Sequence, residues 1–388
     1  MDIKKEIDSF LHELIELRRD FHKHPELGFE EYRTSKIISD YLISIGLEVK
    51  TLAKTGVVGI LKGNNPGRTL LLRADMDGLP IEDEKDVSYK SVCPGKMHAC
   101  AHDGHMAMLL VAAKIMTKYK DQLHGNIKFV FQPNEEDAGA RKMIEEEVML
   151  DPDVDFAFGI HLWTPLRSGT IGISAGPVMG GHDNFKIDLT GKGGHTAIPE
   201  NAIDPIIAAA NIIQSVQIIQ TREIGALKPT LIMFGKINGG TGPNIIPEKV
   251  EIEGSIRYLH EDNQDESIKD KFRRIVGSVC SAYRVSYKLD FIPSSALLAN
   301  DAKLTEVVKS IAEEVVGKEN IVPFVSMAGE DFSEFSMEVP SVFYFIGTGN
   351  EAKKTTYSHH HPLFDIDEDS LSLGVEMHLR TSMSLLGK

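Results

Sequence analysis

Cysteine, tryptophan and uninterrupted apolar runs are all scarce in this chain of 388 residues. Three cysteines, Cys93, Cys100 and Cys280, are too few for a disulfide framework and fit a reducing compartment. No apolar run approaches the roughly 18 residues that a membrane span needs. The strongest candidate, 202–219, is interrupted by Asp204, Asn211 and Gln214. The first residues, MDIKKEIDSFLHELIELRRDF, lack the continuous apolar core of a signal peptide, so a cytoplasmic location is expected. Positive charge is also short: 42 basic residues against 57 acidic ones give a formal charge of −15. That balance argues against nucleic acid and against an anionic membrane surface, both of which select clustered Lys and Arg. Repeats and low-complexity segments are absent. There is no phosphate-cradling loop either, because G-K-G-G-H has neither the spacing nor the Lys-Ser/Thr ending.

What is present is an ordinary globular composition, 42% hydrophobic and 26% charged, in a chain long enough for two or three domains. An amphipathic helix opens it, with Ile3, Ile7, Phe10, Leu11, Leu14 and Leu17 on one face. A second helix over about 30–45 follows. Short β-rich runs at 57–61, 69–73, 126–131 and 154–160 then alternate with helical segments at 104–116 and about 138–149. Such alternation predicts an α/β fold with a largely parallel sheet and flanking helices. From Asp183 the order changes to strand, helix (202–219), strand (230–237), strand (248–258), helix (264–282), strand (285–291). This βαββαβ order is a complete unit of the ferredoxin-like kind. A helix over 304–316, a strand over 341–346 and a closing helix from about 368 resume the first pattern. The expectation is a discontinuous catalytic domain, 1–181 and 296–388, with a smaller domain inserted at 182–295.

Metal-ligand residue types fall at matching places in that scheme. Asp75 and Asp77, Glu135 and Glu136, and His161 each stand at the C-terminal exit of a predicted strand, where open α/β sheets bind ligands. Cys100 and His102 precede a helix, and His359, His360 and His361 follow the last strand after a loop. Singly, each has an ordinary structural explanation; together they bring thiolate, imidazole and carboxylate to one sheet edge. That donor set suits zinc, nickel or cobalt, and manganese where carboxylates dominate. His22 and His24, beside Pro25, fit a helix end. Trp163, Met97, Met106 and Met108 fit a core or pocket wall, and Cys93 and Cys280 have no partner at metal-like spacing.

The segments RRDFHKHPELGFEE, RADMDGLP, MHACAHDGH, FQPNEED, GIHLW, GKGGHTAIP, GPNIIPEKVEIEGSIR, AGEDFSEF and HHHPLFDID occur in this order. Taken together the chain resembles the M20 metallopeptidases, in the branch of N-acyl-L-amino acid amidohydrolases that includes aminoacylases, hippurate hydrolases and auxin-conjugate hydrolases. The resemblance implies two divalent metal ions per subunit, held by Cys100, His102, Glu136, His161 and His360, the last chosen because it stands two residues before the proline. It implies Glu135 as general base, and Asp75 or Asp77 orienting the site from behind the ligands. It further implies a homodimer formed through the inserted domain. His195 of one subunit would reach the other's site as oxyanion donor, with Asn244 and Arg257 binding the substrate carboxylate. Ala101 stands where the family usually has glycine, and Asn134 and Asp137 where it has alanine and glycine. Asp137 adds a charge expected to raise the pKa of Glu135.

The chemistry requires these types. A bound divalent ion lowers the pKa of its water from about 15.7 to roughly 7, and two ions about 3.5–4 Å apart can share water and carbonyl. The leading expectation is hydrolysis of N-acyl-L-amino acids. A carboxypeptidase or dipeptidase, or an N-acetyl-diaminopimelate deacetylase, would use the same site. A two-metal phosphoesterase is disfavoured because only Arg73 and Arg141 stand near the ligands. A silent metal or small-molecule binder would have no use for Glu135.

Overall fold

The run Leu70-Leu71-Leu72 and the run Phe129-Val130-Phe131 are apolar on both faces, as strands covered by helices on each side must be. In the computed structural model, which describes residues 2–262 and 265–387, both become inner strands of one eight-stranded sheet. Its order is Glu48–Leu52, Gly56–Lys62, His124–Gln132, Asn65–Asp75, Phe156–Arg167, Ser341–Gly349, Ile171–Gly172, Ile321–Val322. The four strands from His124–Gln132 to Ser341–Gly349 run parallel, with Leu72 level with Phe129 on one side and Phe158 on the other. Their carboxyl ends therefore share an edge. Antiparallel pairing is confined to Glu48–Leu52, Gly56–Lys62 and the short Ile171–Gly172 strand.

Apolar on nearly every side, helix His102–Thr117 is buried almost throughout. It packs against the sheet and between the helices Ile3–Lys23 and Ser370–Leu386. Gly104 permits the close approach, since a Cβ there would sit 2.6 Å from Leu162 Cδ1. This places the start of the helix, where His102 stands, directly behind the strand that carries His161. Two differences in extent bear on the site. The strand over 154–160 continues to Arg167, so His161 lies within it. The helix expected over 138–149 spans only Gly139–Glu145, because Glu147 turns into left-handed backbone (φ 66°).

The chain divides into two compact units: Met1–Val178 with Leu298–Val325 and Glu330–Lys388, and Met179–Leu297 with Ser326–Gly329. The second unit holds a four-stranded antiparallel sheet in the order Thr230–Gly239, Lys249–Tyr258, Gly181–Thr190, Ser286–Ser295. Helices Pro205–Ser215 and Ile268–Tyr283 complete the βαββαβ order, over a core that includes Phe185, Ile252, Ile256 and Phe272. Asp204 caps the first helix, with Pro205 in its opening turn, and Ser267 caps the second. The expected start of that second helix, Gln264, lies outside the described residues. Thr230–Gly239 is an edge strand and leaves Leu231, Met233 and Ile237 exposed. Among the described residues no helix is long and apolar enough to cross a membrane.

Candidate metal centre

Two donor sets meet at the carboxyl edge of the first unit's sheet and share one thiol. Cys100, His102 and His161 bring their ligand atoms within 4.8 Å of one another, and so do Cys100, Glu136 and His360. Cys100 Sγ lies 3.6 Å from His161 Nε2, and His360 Nε2 lies 3.3 Å from Glu136 Oε1. Both buried imidazoles are turned the same way. His102 donates from Nδ1 to the Asp77 carbonyl at 2.9 Å, and His161 donates from Nδ1 to the Leu162 carbonyl at 2.9 Å. Each thus turns its Nε2 toward the cluster, as histidines that bind metal through Nε2 do. His102 Nε2 is buried and has no hydrogen-bond partner, an arrangement that is costly without a cation beside it.

Protonation states differ within the cluster. Burial opposes it, but the Asp75 and Asp77 carboxylates push His102 up to about 10, so the chain alone keeps on it a proton that a dication would displace. Burial, then His105 and His359, hold His161 well below its ordinary pKa, so it stays a neutral donor. Burial, then Glu136 and Glu135, push the Cys100 thiol well above its ordinary value. The protein alone therefore disfavours the thiolate, and a dication would restore it. An orphaned imidazole nitrogen, a neutral imidazole and a thiol among carboxylates fit divalent metal.

The Glu135–Glu136 turn is fixed from beneath. Both backbone N–H groups donate to Asp77, Glu135 N to Oδ1 at 3.0 Å and Glu136 N to Oδ2 at 3.1 Å. The Glu135 side chain, 11% exposed, puts Oε2 at 3.8 Å from His102 Nε2. Burial, then the Glu330, Glu136 and Asp331 carboxylates, push the Glu135 carboxyl well above its usual range. Asp137, which was expected to do this, is exposed and is not among these neighbours. Asp75 behaves oppositely. Although burial opposes it, His102, His105 and Arg73 hold its carboxyl well below the usual range.

Several residues of the site were not singled out from sequence. Buried Arg73 donates to Gln132 at 2.8 Å, Asp75 at 2.7 Å, Glu330 at 3.0 Å and Asp331 at 2.9 Å. It is thus committed to a buried network and cannot clamp a phosphate; Arg141 pairs with Glu334. His105 donates from Nδ1 to Asp75 at 2.6 Å and accepts from Leu162 N at 2.9 Å. Its place three residues after His102 on one helix was the available signal. Glu330 and Asp331 lie in the AGEDFSEF segment, which carries part of the resemblance, but no periodicity there assigned them a role.

Three adjacent histidines separate into three environments. His360 joins Cys100 and Glu136. His359 stacks on Trp163 (4.2 Å between centroids, 27°) and donates to the Leu162 carbonyl at 3.0 Å. His361 stacks on Tyr357. Backbone strain gathers here too: Ala101, Asn134, Ala138 and His360 all have positive φ, between 54° and 68°. Asparagine tolerates that region better than alanine does. Asn134 also donates to the Asp137 carbonyl at 2.9 Å, packed so close to Gly28 that a Cβ there would lie 1.7 Å from its Oδ1.

His195, Asn244 and Arg257 all belong to the second unit. His195 pairs with Ile245 in a short two-stranded ladder and is exposed beside Asn244, whose carbonyl accepts from Thr196 N at 3.3 Å. Its Nδ1 accepts from Ala197 N at 3.0 Å. Arg257 is half-buried and donates to the Met327 carbonyl at 3.0 Å. Cys280 is buried in the second unit's core and Cys93 is half-exposed; all three cysteines are unpaired.

Comparison with known proteins adds to this geometry. Residues 71–384 match the peptidase family M20/M25/M40. The chain is 40% identical over 390 residues to thermostable carboxypeptidase 2 of Saccharolobus solfataricus, covering 99% of this chain and 97% of that protein. It is 34% identical over 368 residues to an N-acetylcysteine deacetylase of Bacillus subtilis, covering 94% of each. A solved Bacillus subtilis structure described as a dinuclear metal-binding peptidase of the M20 family superposes with a TM-score of 0.85. The two are 31% identical, covering 97% of this chain and 99% of that one.

Two outcomes follow from the geometry. Left-handed alanine costs about 1–2 kcal/mol, and glycine returns about 0.4–1 kcal/mol of that through the unfolded chain. Ala101→Gly should therefore raise the melting temperature of metal-free protein by about 2 °C, read by calorimetry; a lower melting temperature would contradict the strain. His360→Gln should remove one metal equivalent in elemental analysis while His359→Gln removes none, and equal losses would refute this division of roles.

Proposed function

The chain belongs to the peptidase family M20/M25/M40 and is a metal-dependent amidohydrolase; we propose that it hydrolyses the amide bond of N-acyl-L-amino acids using two divalent ions. The observation that carries this reading is the Glu135 carboxylate beside two donor sets that share Cys100. A base next to two metal positions is what hydrolysis of a stable amide requires, and mere metal storage does not. Cys100, His102 and His161 would hold one ion, and Cys100, Glu136 and His360 the other, with zinc, manganese, nickel or cobalt all compatible. When bound, the ions acidify water and polarise the scissile carbonyl.

The protein's own groups do the rest. Glu135 takes a proton from the attacking water on a carboxylate oxygen and passes it to the leaving amine nitrogen. Its raised pKa suits holding that proton between the two transfers. Asp77 keeps Glu135 and Glu136 in place through their backbone N–H groups, and through its carbonyl it fixes the His102 ring. Asp75, joined to Arg73 and His105, braces the same region from behind.

The remainder of the site comes, in this reading, from a second subunit. The exposed Leu231, Met233 and Ile237 on an edge strand suit pairing with another copy of this chain. His195 of the partner then supplies the oxyanion donor. Because its Nδ1 accepts from Ala197 N, the neutral ring carries its proton on Nε2, the atom left free to donate. Asn244 and Arg257 receive the substrate's carboxylate. The unpaired cysteines suit a reducing, cytoplasmic setting. The second reading, a carboxypeptidase on the same site, is favoured by the name of the 40% identical relative.

Amine release from N-acetyl and N-benzoyl amino acids and from dipeptides, with each metal and with chelator, separates the two. Chelator-sensitive release from acyl amino acids is expected, whereas cleavage of peptides alone would select the carboxypeptidase. Glu135→Gln should keep both ions and lose about 10²–10⁴-fold in kcat; near-normal turnover would exclude Glu135 as the base. Mixing inactive His195→Ala with inactive Glu135→Gln should restore activity in the heterodimer, which holds one intact composite site. No recovery from verified mixed dimers would place His195 outside the partner's chemistry.

A further inference from the structure

The opening segment RRDFHKHPE contributes no ligand and no base, yet it holds a fully buried arginine between the two ligand-bearing segments. Arg18 donates from Nε to Asp103 Oδ2 at 2.8 Å, from Nη2 to Asp365 Oδ1 at 2.7 Å, and from Nη1 to Glu368 Oε1 at 3.2 Å. Asp103 directly follows His102, while Asp365 and Glu368 lie just beyond His360 on the segment that delivers it. Other groups hold the two carboxylates for this one guanidinium. His22 Nδ1 donates to Asp103 Oδ2 at 2.7 Å, Gly104 N to Asp103 Oδ1 at 2.9 Å, and Tyr89 Oη to Asp365 Oδ2 at 2.8 Å. The Tyr89 ring also lies 4.8 Å from the guanidinium carbon. Nearer the cluster, the two segments meet through one backbone bond, His360 N to the Ala99 carbonyl at 2.9 Å.

We propose that Arg18 is a positioning residue, a clamp that holds the His360 segment against the Cys100–Asp103 segment and so assembles the Cys100, Glu136, His360 donor set. The inference rests on the dinuclear reading given above. His102 and His161 are fixed independently, through the Asp77 and Leu162 carbonyls, so releasing the clamp opens one donor set and spares the other. A planar, three-nitrogen fork is needed to reach both carboxylates at once; a lysine ammonium is a single point charge and holds one of them.

The test uses the purified full-length protein with Arg18→Lys and Asp365→Asn, two variants that loosen the clamp from opposite ends. Leu14→Ala, a buried truncation on the same helix, serves as a control for general destabilisation. Amide exchange read by mass spectrometry should quicken at least tenfold over 357–363 in both clamp variants and stay unchanged in the strand His124–Gln132. Leu14→Ala should not show that local pattern. In cobalt titrations followed by thiolate-to-metal absorption, one of the two sites should lose at least tenfold in affinity while the other moves less than twofold. Unchanged exchange over 357–363, or equal weakening of both sites, overturns the clamp. A wild-type protein that binds fewer than two ions instead overturns the dinuclear reading, and the exchange experiment still decides whether Arg18 clamps.

Discussion

Carboxylates buried close together cannot all stay ionised unless positive charge is buried with them, and the catalytic unit is arranged around that constraint. Asp75, Glu330 and Asp331 converge on Arg73, whose donors they share with Gln132. Removing one partner from such a network typically costs about 3–5 kcal/mol, because it strands a buried charge. Once Arg73 is committed in this way, a cation within reach of Glu135 is His102, pushed up to about 10 against burial by Asp75, Asp77 and Glu136, with its Nε2 3.8 Å from Glu135 Oε2. The electrostatics of the chain alone still leave a deficit of positive charge at the sheet edge, where the unpartnered Nε2 of His102 also points. In the dinuclear reading proposed above, two dications would answer both the charge and the orphaned nitrogen, and metal binding would then be part of the structure's stability as well as of its chemistry.

The topology explains why so much of this could be read from one sequence. Parallel strands bring their carboxyl ends to a common edge, so Asp75, Asp77, Glu135 and Glu136, each just past a β-rich run, had to be neighbours. His161 was placed at this edge for a partly mistaken reason. Its strand continues to Arg167, and it reaches the site because alternate residues of a strand share a face, which also aligns it with Trp163. Arg73 could not be read correctly. It is an arginine in an apolar strand, and only its partners, more than 250 residues away in sequence for Glu330 and Asp331, show that it is a buried hub. The segment holding those partners, AGEDFSEF, carries part of the resemblance, but nothing in its local pattern points to an arginine so distant in sequence. In the inserted unit the elements were legible because caps and alternating apolar residues agree. His195 is exposed on that unit, and the proposal that it serves a second copy of the chain rests on no local pattern.

Departures from the usual family residues find a physical account in backbone conformation. The turn carrying Glu135 and Glu136 is bracketed by Asn134 and Ala138, both left-handed, and Ala101 holds the same conformation between two ligands. Asparagine suits that region and here also closes the turn onto the Asp137 carbonyl, so Asn134 supports the geometry of the Glu135 turn. The alanines carry a real conformational cost. They persist because their surroundings determine the backbone more strongly than local preference does: Asp77 binds the turn, and the Ala101 carbonyl accepts the first helical bonds. Strain held in ligand loops by neighbouring hydrogen bonds keeps donors oriented before any ion arrives.

The same reasoning resolves the three histidines. In an extended run, His359 and His361 would share a face and His360 would oppose them, leaving sequence alone unable to say which side meets the metal. A left-handed residue at His360 (φ 64°) breaks that alternation. It lets His359 fold back onto Trp163 and the Leu162 carbonyl while His361 stacks on Tyr357. With its neighbours engaged on both sides, and its own N–H bound to the Ala99 carbonyl, His360 has one direction left, toward Glu136 and Cys100. Its placement beside Cys100 and Glu136 is therefore a consequence of backbone conformation and of what its neighbours bind, and chemical identity alone could never have distinguished it.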